Sequence, residues 1–150
     1  MRSLVRRVFH ASVEADGKKS GEIQQGLLVY VGFEAEDSES DVEWCLKKIL
    51  GLRIFDDETG KMNLSVNNEM GILLVSQFTL WGTLKKGYRP SFNRAAMPEK
   101  ARNLYNMFLL SMQKSFLGDV QSGKFGASMK ISVIEDGPVT IWLDSKNRTY

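Results

Sequence analysis

Cysteine and histidine are almost absent from this sequence, which has one of each in 150 residues. The single Cys45 excludes an internal disulfide, and together with the lone His10 it excludes a zinc site built from several Cys and His ligands. The sequence also lacks the glycine-rich phosphate loops of nucleotide-binding proteins and the G-x-S-x-G sequence of the α/β-hydrolases. We therefore expect a protein without a metal and without a cofactor.

Long apolar runs are missing as well. No stretch approaches the ~18 apolar residues of a membrane-spanning helix, and Met1 to Val8 lacks the apolar segment of a secretory signal. These absences predict a cytoplasmic protein with no membrane partner. The composition, 43% hydrophobic and 25% charged, is typical of a globular chain, and the length suits one domain over residues 1–150.

The small net charge of +2 is distributed unevenly. Six acidic residues and no basic ones lie between Glu34 and Glu43, whereas the stretch from Gly82 to Met97 contains no acidic residue. The basic residues of that second stretch are Lys85, Lys86, Arg89 and Arg94. A basic loop can attract a polyanion. A solvated, flexible surface loop is the other interpretation, and charge alone favours it.

Hydrophobic patterning predicts about eight strands and two main helices. The predicted strands are residues 3–9, 11–14, 18–23, 26–33, 52–55, 61–66, 70–81, 127–133 and 139–143. One helix is expected to begin at Asp37 or Ser38 and to end at Gly51, and the other to begin at Pro98. Their apolar faces comprise Val42, Cys45, Leu46, Ile49 and Leu50 in the first, and Ala101, Leu104, Tyr105, Phe108 and Met112 in the second. The pattern indicates an α+β fold with a curled antiparallel or mixed sheet, whose edges favour dimerisation.

Two segments differ from ordinary core sequence. Ser76, Gln77 and Thr79 follow the apolar run from Gly71 to Val75, and polar groups at the end of a buried strand need partners or face a pocket. A strand that emerges into solvent explains the same pattern equally well. The second segment, Gly137-Pro138, is a turn signal and by itself indicates an ordinary tight turn.

Conventional acid–base catalysis has little support in the sequence. A serine–histidine–aspartate relay would have to use His10. That histidine lies at the junction of two predicted strands with no acid beside it, which favours a surface or capping role. An enzyme with this sequence would depend on positioning and on backbone groups.

The segments Ser76-Gln77-Phe78-Thr79-Leu80 and Gly137-Pro138-Val139-Thr140 together resemble the motif pair of the D-aminoacyl-tRNA deacylases. Further similarity to that family extends along nearly the whole chain in the same order. It includes Gly26-Leu27-Leu28-Val29, residues 49–55, residues 60–65, Arg89-Pro90-Ser91-Phe92, and Phe125-Gly126-Ala127 with Met129. The resemblance implies a homodimer with a barrel-like fold that hydrolyses the ester bond of D-aminoacyl-tRNA, releasing free tRNA and the D-amino acid.

The resemblance also assigns roles to residues. The active site would be lined by Ser76, Gln77, Phe78 and Thr79, with nearby backbone N–H groups stabilising the oxyanion and the ribose 2′-hydroxyl of the tRNA taking part chemically. Gly137 and Pro138, joined by a cis bond and supported by Arg7, would enter the partner's site and exclude L-amino acids. The terminal adenosine would lie against Phe125, Gly126, Ala127 and Met129. Contacts to tRNA phosphates would come from Lys85, Lys86 and Arg89.

Several alternatives remain open at this level. Thr79 is a candidate nucleophile, but a positioning role is favoured because no base is evident to activate it. Glycyl-tRNA, including glycine mischarged on tRNA-Ala, is expected to be cleaved because it has no Cβ to exclude. Asp136, where some relatives carry asparagine, introduces a charge that could weaken the approach to RNA phosphate. The main alternatives are a tRNA-binding or editing protein of the same fold with another amino-acid specificity, and a small-molecule-binding barrel.

Overall fold

The computed structural model describes residues 1–85 and 87–149. Within those ranges it has eight β-strands, two α-helices and one short 3₁₀-helix. In chain order they are β1 (Arg2–Ala15), β2 (Lys18–Ile23), β3 (Gly26–Gly32), α1 (Glu39–Gly51), β4 (Phe55–Asp56), β5 (Met62–Leu64), β6 (Gly71–Ser76), the 3₁₀-helix (Phe78–Trp81), α2 (Pro98–Ser115), β7 (Asp119–Ser122) and β8 (Met129–Asp144). This content confirms the predicted α+β class with two main helices.

Six of the strands form one mixed sheet around the central strand β1. β1 pairs antiparallel with β3, with β2 and with β8, whereas β3 pairs parallel with β6 and β6 with β7. The sheet curls until β2 approaches β7, where a Cβ built on Gly21 would lie only 3.1 Å from the carbonyl oxygen of Ser122. The sheet is therefore a nearly closed, barrel-like structure, as expected from the resemblance.

The core has two parts on opposite faces of this sheet. β3 sends Leu27, Val29 and Val31 towards the two helices, and it sends Leu28 into a smaller cluster inside the curl. β6 also contributes to both parts of the core, with Leu74 on the helix side and Leu73 in the inner cluster. Both strands are buried on both faces, which explains their continuous apolar sequences.

Both helices form where the sequence predicts them. Ser38 is the N-cap of α1, and Pro98 occupies the first turn of α2. The buried residues of α2 are the five predicted from helical spacing. Gly51 is the last helical residue of α1 rather than its cap, because the chain turns into an extended conformation at Leu52. No helix in the described ranges is long and apolar enough to cross a membrane.

Three predicted element boundaries are wrong. Residues 3–9 and 11–14 form one strand, β1, because neighbours on both sides supply hydrogen bonds along its length. The strand predicted at 70–81 ends at Ser76, and a 3₁₀-helix follows it. The loop predicted at 118–126 contains β7, which forms because β6 presents a free edge to it.

The last strand also differs from its prediction. Gly137-Pro138 does not end a strand, since β8 continues through it to Asp144. The register of β8 against β1 shifts on either side of Val8, and this irregularity accommodates the segment, whose Gly137–Pro138 peptide bond is cis.

A cluster of buried charges holds the two ends of the described chain together. The α-ammonium group of Met1 contacts the carboxylate of Asp37, both fully buried, and donates to Ser145 Oγ at 2.7 Å. Nearby, Lys146 Nζ lies 2.8 Å from a carboxylate oxygen of Asp41. Burial raises the pKa of Asp41, but hydrogen bonds from Lys146, Ser145 and Ser38 outweigh it and leave that pKa below its usual value. The same bond raises the pKa of Lys146.

Replacing Asp41 by Asn should lower the free energy of unfolding by about 2 kcal/mol at pH 7, because charged hydrogen bonds are lost from a buried site. The folded-state pKa of Asp41 lies below its ordinary value of 3.8. Its contribution is therefore complete above that value and is lost as the pH falls further. Urea unfolding of both proteins between pH 7 and pH 2 measures this directly. Glu43→Gln, at an exposed position of the same helix, is the control. If the difference in free energy of unfolding between the wild type and Asp41→Asn stayed constant down to pH 2, the role given to the Asp41 carboxylate would be contradicted.

Candidate active site

A cavity of about 450 Å³ opens at the edge of the sheet where β3 and β6 end. Because these strands are parallel, their carboxyl ends meet at one edge, which is a common location for ligand sites in such sheets. The segment before α2, the first turn of α2 and the start of β8 complete the walls. None of the lining residues that the structure describes is charged. Such a cavity suits a neutral, largely apolar group with a few polar atoms.

Ser76, Gln77 and Phe78 line this cavity from the end of β6. The Gln77 N–H donates to the carbonyl oxygen of Val31 at 2.7 Å, and directly after this bond the chain leaves the sheet as a 3₁₀-helix. Phe78 is kept in place by an edge-to-face contact with Phe92, with ring centroids 5.1 Å apart. Of the two interpretations of the polar residues in this segment, the pocket describes Ser76 and Gln77, whereas emergence into solvent describes Thr79.

Thr79 lies beside the cavity rather than in its lining, and it is exposed. Its hydroxyl oxygen accepts a hydrogen bond from the Gln77 side-chain amide. Leu80 and Gly82 donate their N–H groups back to Gln77 and Thr79, in the i to i+3 pattern. The first N–H groups of such a helix, those of Phe78 and Thr79, have no partner of this kind. The N–H of Gln77 is already bonded to Val31, so of residues 77–79 only Phe78 and Thr79 keep an N–H group for an anion.

His10 is not part of the cavity. Its Nε2 atom lies 2.9 Å from a carboxylate oxygen of Glu22 on the neighbouring strand β2. The sequence interpretation that no acid lies beside this histidine is therefore wrong, because strand pairing brings together residues that are distant along the chain. Hydrogen bonds from Lys19 and His10 lower the pKa of Glu22. Residues 1–85 and 87–149 contain no group of three or more His, Cys, Asp or Glu side chains that could hold a metal ion.

The opposite wall is formed by Phe125, Gly126, Ala127 and Met129, all of which line the cavity. Phe125 packs against Tyr105 of α2, with ring centroids 5.5 Å apart. The Tyr105 hydroxyl donates to the carbonyl oxygen of Leu74 at 3.1 Å, and burial raises its pKa to about 12. The fold thus joins two segments almost fifty residues apart, as the resemblance requires.

Sequence reasoning missed two parts of the lining. One is the end of β3, where a Cβ on Gly32 would lie 2.6 Å from the carbonyl oxygen of Gln77, so that only glycine fits this close approach. The other consists of Ala95, Ala96, Pro98 and Ala101 at the start of α2. The available signal was the pair of small residues Ala95 and Ala96 shortly before the helix, which leaves space that larger side chains would fill.

Gly137 and Pro138 are exposed on β8 and do not line the cavity of their own chain. Arg7 lies directly behind them. Its Nε and Nη2 atoms each lie 3.0 Å from a carboxylate oxygen of Asp136, and its Nη1 donates to the carbonyl oxygen of Ile54 at 2.6 Å. The carboxylate of Asp136, whose charge was considered from the sequence as weakening the approach to RNA phosphate, is therefore paired with a guanidinium group.

The basic loop is closed by Thr83 and Ser91, which exchange two backbone hydrogen bonds of 2.8 and 2.9 Å. Lys85 and Arg89 are exposed on it, and Lys86 lies outside the described residues. Arg94 differs from them, since it is bonded to a Glu34 carboxylate oxygen at 3.1 Å.

Comparison with known proteins finds a matching family model and similar proteins that are likewise described as deacylases. The family model described as D-Tyr-tRNA(Tyr) deacylase matches residues 4–144. The chain is 51% identical over 147 residues to the D-aminoacyl-tRNA deacylase of Thermosipho melanesiensis, covering 97% of this chain and 98% of that protein. It is 49% identical to the D-aminoacyl-tRNA deacylase of Flavobacterium johnsoniae, covering 99% of each. A solved structure, the c-Myc DNA unwinding element binding protein, superposes with a TM-score of 0.88 at 41% identity, covering 96% of this chain and 98% of that one.

Proposed function

The chain belongs to the D-Tyr-tRNA(Tyr) deacylase family, and on that premise we propose that its cavity hydrolyses the ester bond of D-aminoacyl-tRNA, releasing free tRNA and the D-amino acid. The observation that carries this proposal is the convergence of residues 76–78 and 125–129 on one uncharged cavity. Residues 1–150 act as one deacylase domain, in a cytoplasmic homodimer.

The size and character of the cavity support this substrate. A volume of about 450 Å³ is suited to a terminal adenosine with its aminoacyl group, and not to a folded RNA. Phe125 and Met129 offer an apolar wall to the base. Ser76 and Gln77 provide polar atoms on the facing wall, where the ester is placed.

The chemistry requires little from protein side chains, because an aminoacyl ester is already activated. Water attacks the carbonyl carbon, and the negative charge that develops on the carbonyl oxygen is stabilised by the N–H groups of Phe78 and Thr79. The bond to the ribose oxygen then breaks, and that oxygen takes up a proton. The neighbouring ribose 2′-hydroxyl assists the proton transfer, which compensates for the lack of a protein base at the cavity.

Thr79 acts by positioning in this scheme. Its hydroxyl oxygen accepts a bond from the Gln77 amide, which has no capacity to remove a proton from it. The histidine that could serve as a base is bonded to Glu22 instead. A nucleophilic threonine would need an adjacent base.

Chirality is selected by the Gly137–Pro138 segment of the partner protomer. The exposure of these residues and their absence from the cavity of their own chain support a role in another chain. Their carbonyl oxygens bind the α-ammonium group of the substrate, which directs an L side chain against the turn and a D side chain into open space. The bidentate contact of Arg7 with Asp136 holds the segment in position. Glycine has no side chain to exclude, so glycyl-tRNA, including glycine mischarged on tRNA-Ala, is also a substrate.

The exposed basic loop contacts the phosphates of the tRNA through Lys85, Lys86 and Arg89. A second candidate function is a tRNA-binding or editing protein of the same fold with a different amino-acid specificity. The name of the similar solved structure, which describes binding to DNA, favours testing nucleic-acid binding separately from turnover.

The central test is ester hydrolysis of D-Tyr-tRNA and L-Tyr-tRNA, with and without EDTA. We expect the D ester to be cleaved faster by on the order of 100-fold or more, with no effect of the chelator. Binding of both RNAs without turnover would favour the second candidate. Equal cleavage of the two esters would contradict stereospecific hydrolysis.

A variant that fills the cavity tests whether ester hydrolysis takes place there. Ala101→Leu places a larger side chain in the lining and should abolish turnover of D-Tyr-tRNA. Asn106→Leu introduces the same residue at an exposed position of the same helix and should leave turnover unchanged.

Thr79→Val separates positioning from nucleophilic catalysis. Loss of one hydrogen bond should lower kcat/KM for D-Tyr-tRNA about tenfold, whereas loss of a nucleophile lowers activity by ~10⁴-fold or more. Single-turnover kinetics supply the second measurement, and accumulation of a covalent aminoacyl-enzyme in the wild type would contradict the positioning role.

Gly137→Ala tests the role of the exposed glycine. Apart from the two adjacent residues, a Cβ at this position would meet no atom of its own chain closer than 3.5 Å, so the free energy of unfolding should change by less than about 0.5 kcal/mol. Turnover of D-Tyr-tRNA should nevertheless fall about tenfold, because the added methyl group crowds the partner's cavity. Gly51→Ala, also in open space, is the matched control. Undiminished turnover by Gly137→Ala would argue against a role for this segment in the partner's site.

A further inference from the structure

The described residues that line the cavity carry no charge, yet the proposed substrate carries a negative charge close to the group that enters it. The terminal adenosine of an RNA is joined to the preceding nucleotide by a phosphodiester. An uncharged, largely apolar wall is a poor environment for this anion. The phosphodiester must therefore lie at the mouth of the cavity, where a cation has to be within reach.

Most basic residues adjacent to the lining residues are already occupied. Arg94 is bonded to a carboxylate oxygen at 3.1 Å and Lys124 to another at 2.7 Å. Lys100 donates to a backbone carbonyl oxygen. Lys130 lies between two lining residues of β8, and the alternation of side chains along a strand directs it to the other face.

Arg102 is the exception. It is exposed on α2, and within the described part of the chain it forms no ion pair with a carboxylate. Its guanidinium carbon lies 5.1 Å from the ring centroid of Phe125, which lines the cavity. Phe125 is fixed from below by Tyr105, whose hydroxyl is bonded to the sheet. A guanidinium group that rests on a fixed ring keeps its N–H groups available for an anion.

We propose that Arg102 binds the phosphodiester on the 5′ side of the terminal adenosine and thereby positions the aminoacyl ester in the cavity. This inference rests on the proposed function. The contact is a charge-assisted and bidentate one, for which the planar guanidinium is suited. Arg102 contacts the RNA backbone and not the amino acid. The contact therefore affects the affinity for the RNA end without affecting the preference for D-amino acids over L-amino acids.

Three D-tyrosyl esters test this contact. The adenosine ester contains no phosphodiester. The ester of the dinucleotide cytidylyl-adenosine contains one, and the tRNA ester contains the full RNA backbone. Arg102→Gln should lower kcat/KM about tenfold for the dinucleotide and for tRNA, and should leave hydrolysis of the adenosine ester within twofold of the wild type. Arg102→Lys keeps the positive charge but not the planar pair of N–H donors, so its kcat/KM should lie between those of Arg102→Gln and the wild type. The slope of log kcat/KM against log salt for the tRNA ester should also become less steep, by roughly 0.7.

Lys114→Gln is the matched control, since it removes one exposed positive charge from the same helix about 18 Å away. It should leave all three rates unchanged. An equal loss with all three esters in Arg102→Gln would overturn the proposal in favour of a packing role against Phe125. A loss confined to tRNA would overturn it in favour of a contact farther along the RNA. If the wild type cleaved none of the three esters, the proposed function would fail and this inference with it.

Discussion

The hydrogen bond from the Gln77 N–H to the carbonyl oxygen of Val31 is the interaction on which the candidate site depends. It is the last link between β6 and β3, and beyond it the chain leaves the sheet as a 3₁₀-helix. Gly32 makes this exit possible, because any side chain there would collide with the carbonyl oxygen of Gln77. The bond consumes one N–H group and leaves those of Phe78 and Thr79 at the start of the helix. Sheet pairing thus ends where the proposed chemistry begins.

The second wall of the cavity is held to the first by α2. Tyr105 is bonded to a carbonyl oxygen of β6 and packs against Phe125, so one side chain connects the helix, the sheet and the lining. β7 pairs with the edge of β6, and the residues after β7 then reach the cavity. Residues 76–78 and 125–127 are near each other because of this strand pairing and not because of any local preference.

Buried charges and the charges near the cavity are arranged differently in this fold. Where ions are buried they are paired, as in the contact of Met1 with Asp37 and that of Arg7 with Asp136. Pairing is needed there because an isolated buried charge is very unfavourable. The cavity is lined by uncharged residues in the described part of the chain, whereas Arg102 beside Phe125 carries a positive charge without a partner among the described carboxylates. This arrangement is consistent with a ligand whose inserted part is neutral and whose outer part is anionic.

Local physical chemistry allowed much of this protein to be predicted from sequence. Helical spacing identified the buried residues of α2, Asp16-Gly17 marked the first hairpin, and the apolar run after Gly26 indicated a strand buried on both faces. Similarity to a known family identified candidate residues on both walls of the cavity. Sequence patterns failed where a distant segment decides the outcome. β8 continues through Gly137-Pro138 because β1 is its neighbour, and β7 forms on the open edge of β6.

The sequence by itself therefore determined the helices, the two-sided strands and the scarcity of acid–base groups. Only the tertiary structure decided that His10 meets Glu22, that Ala101 lines the cavity and that Arg102 rests on Phe125. The physical reason is that local periodicity records which side of an element is buried, whereas sheet register and helix docking determine which buried or exposed groups meet.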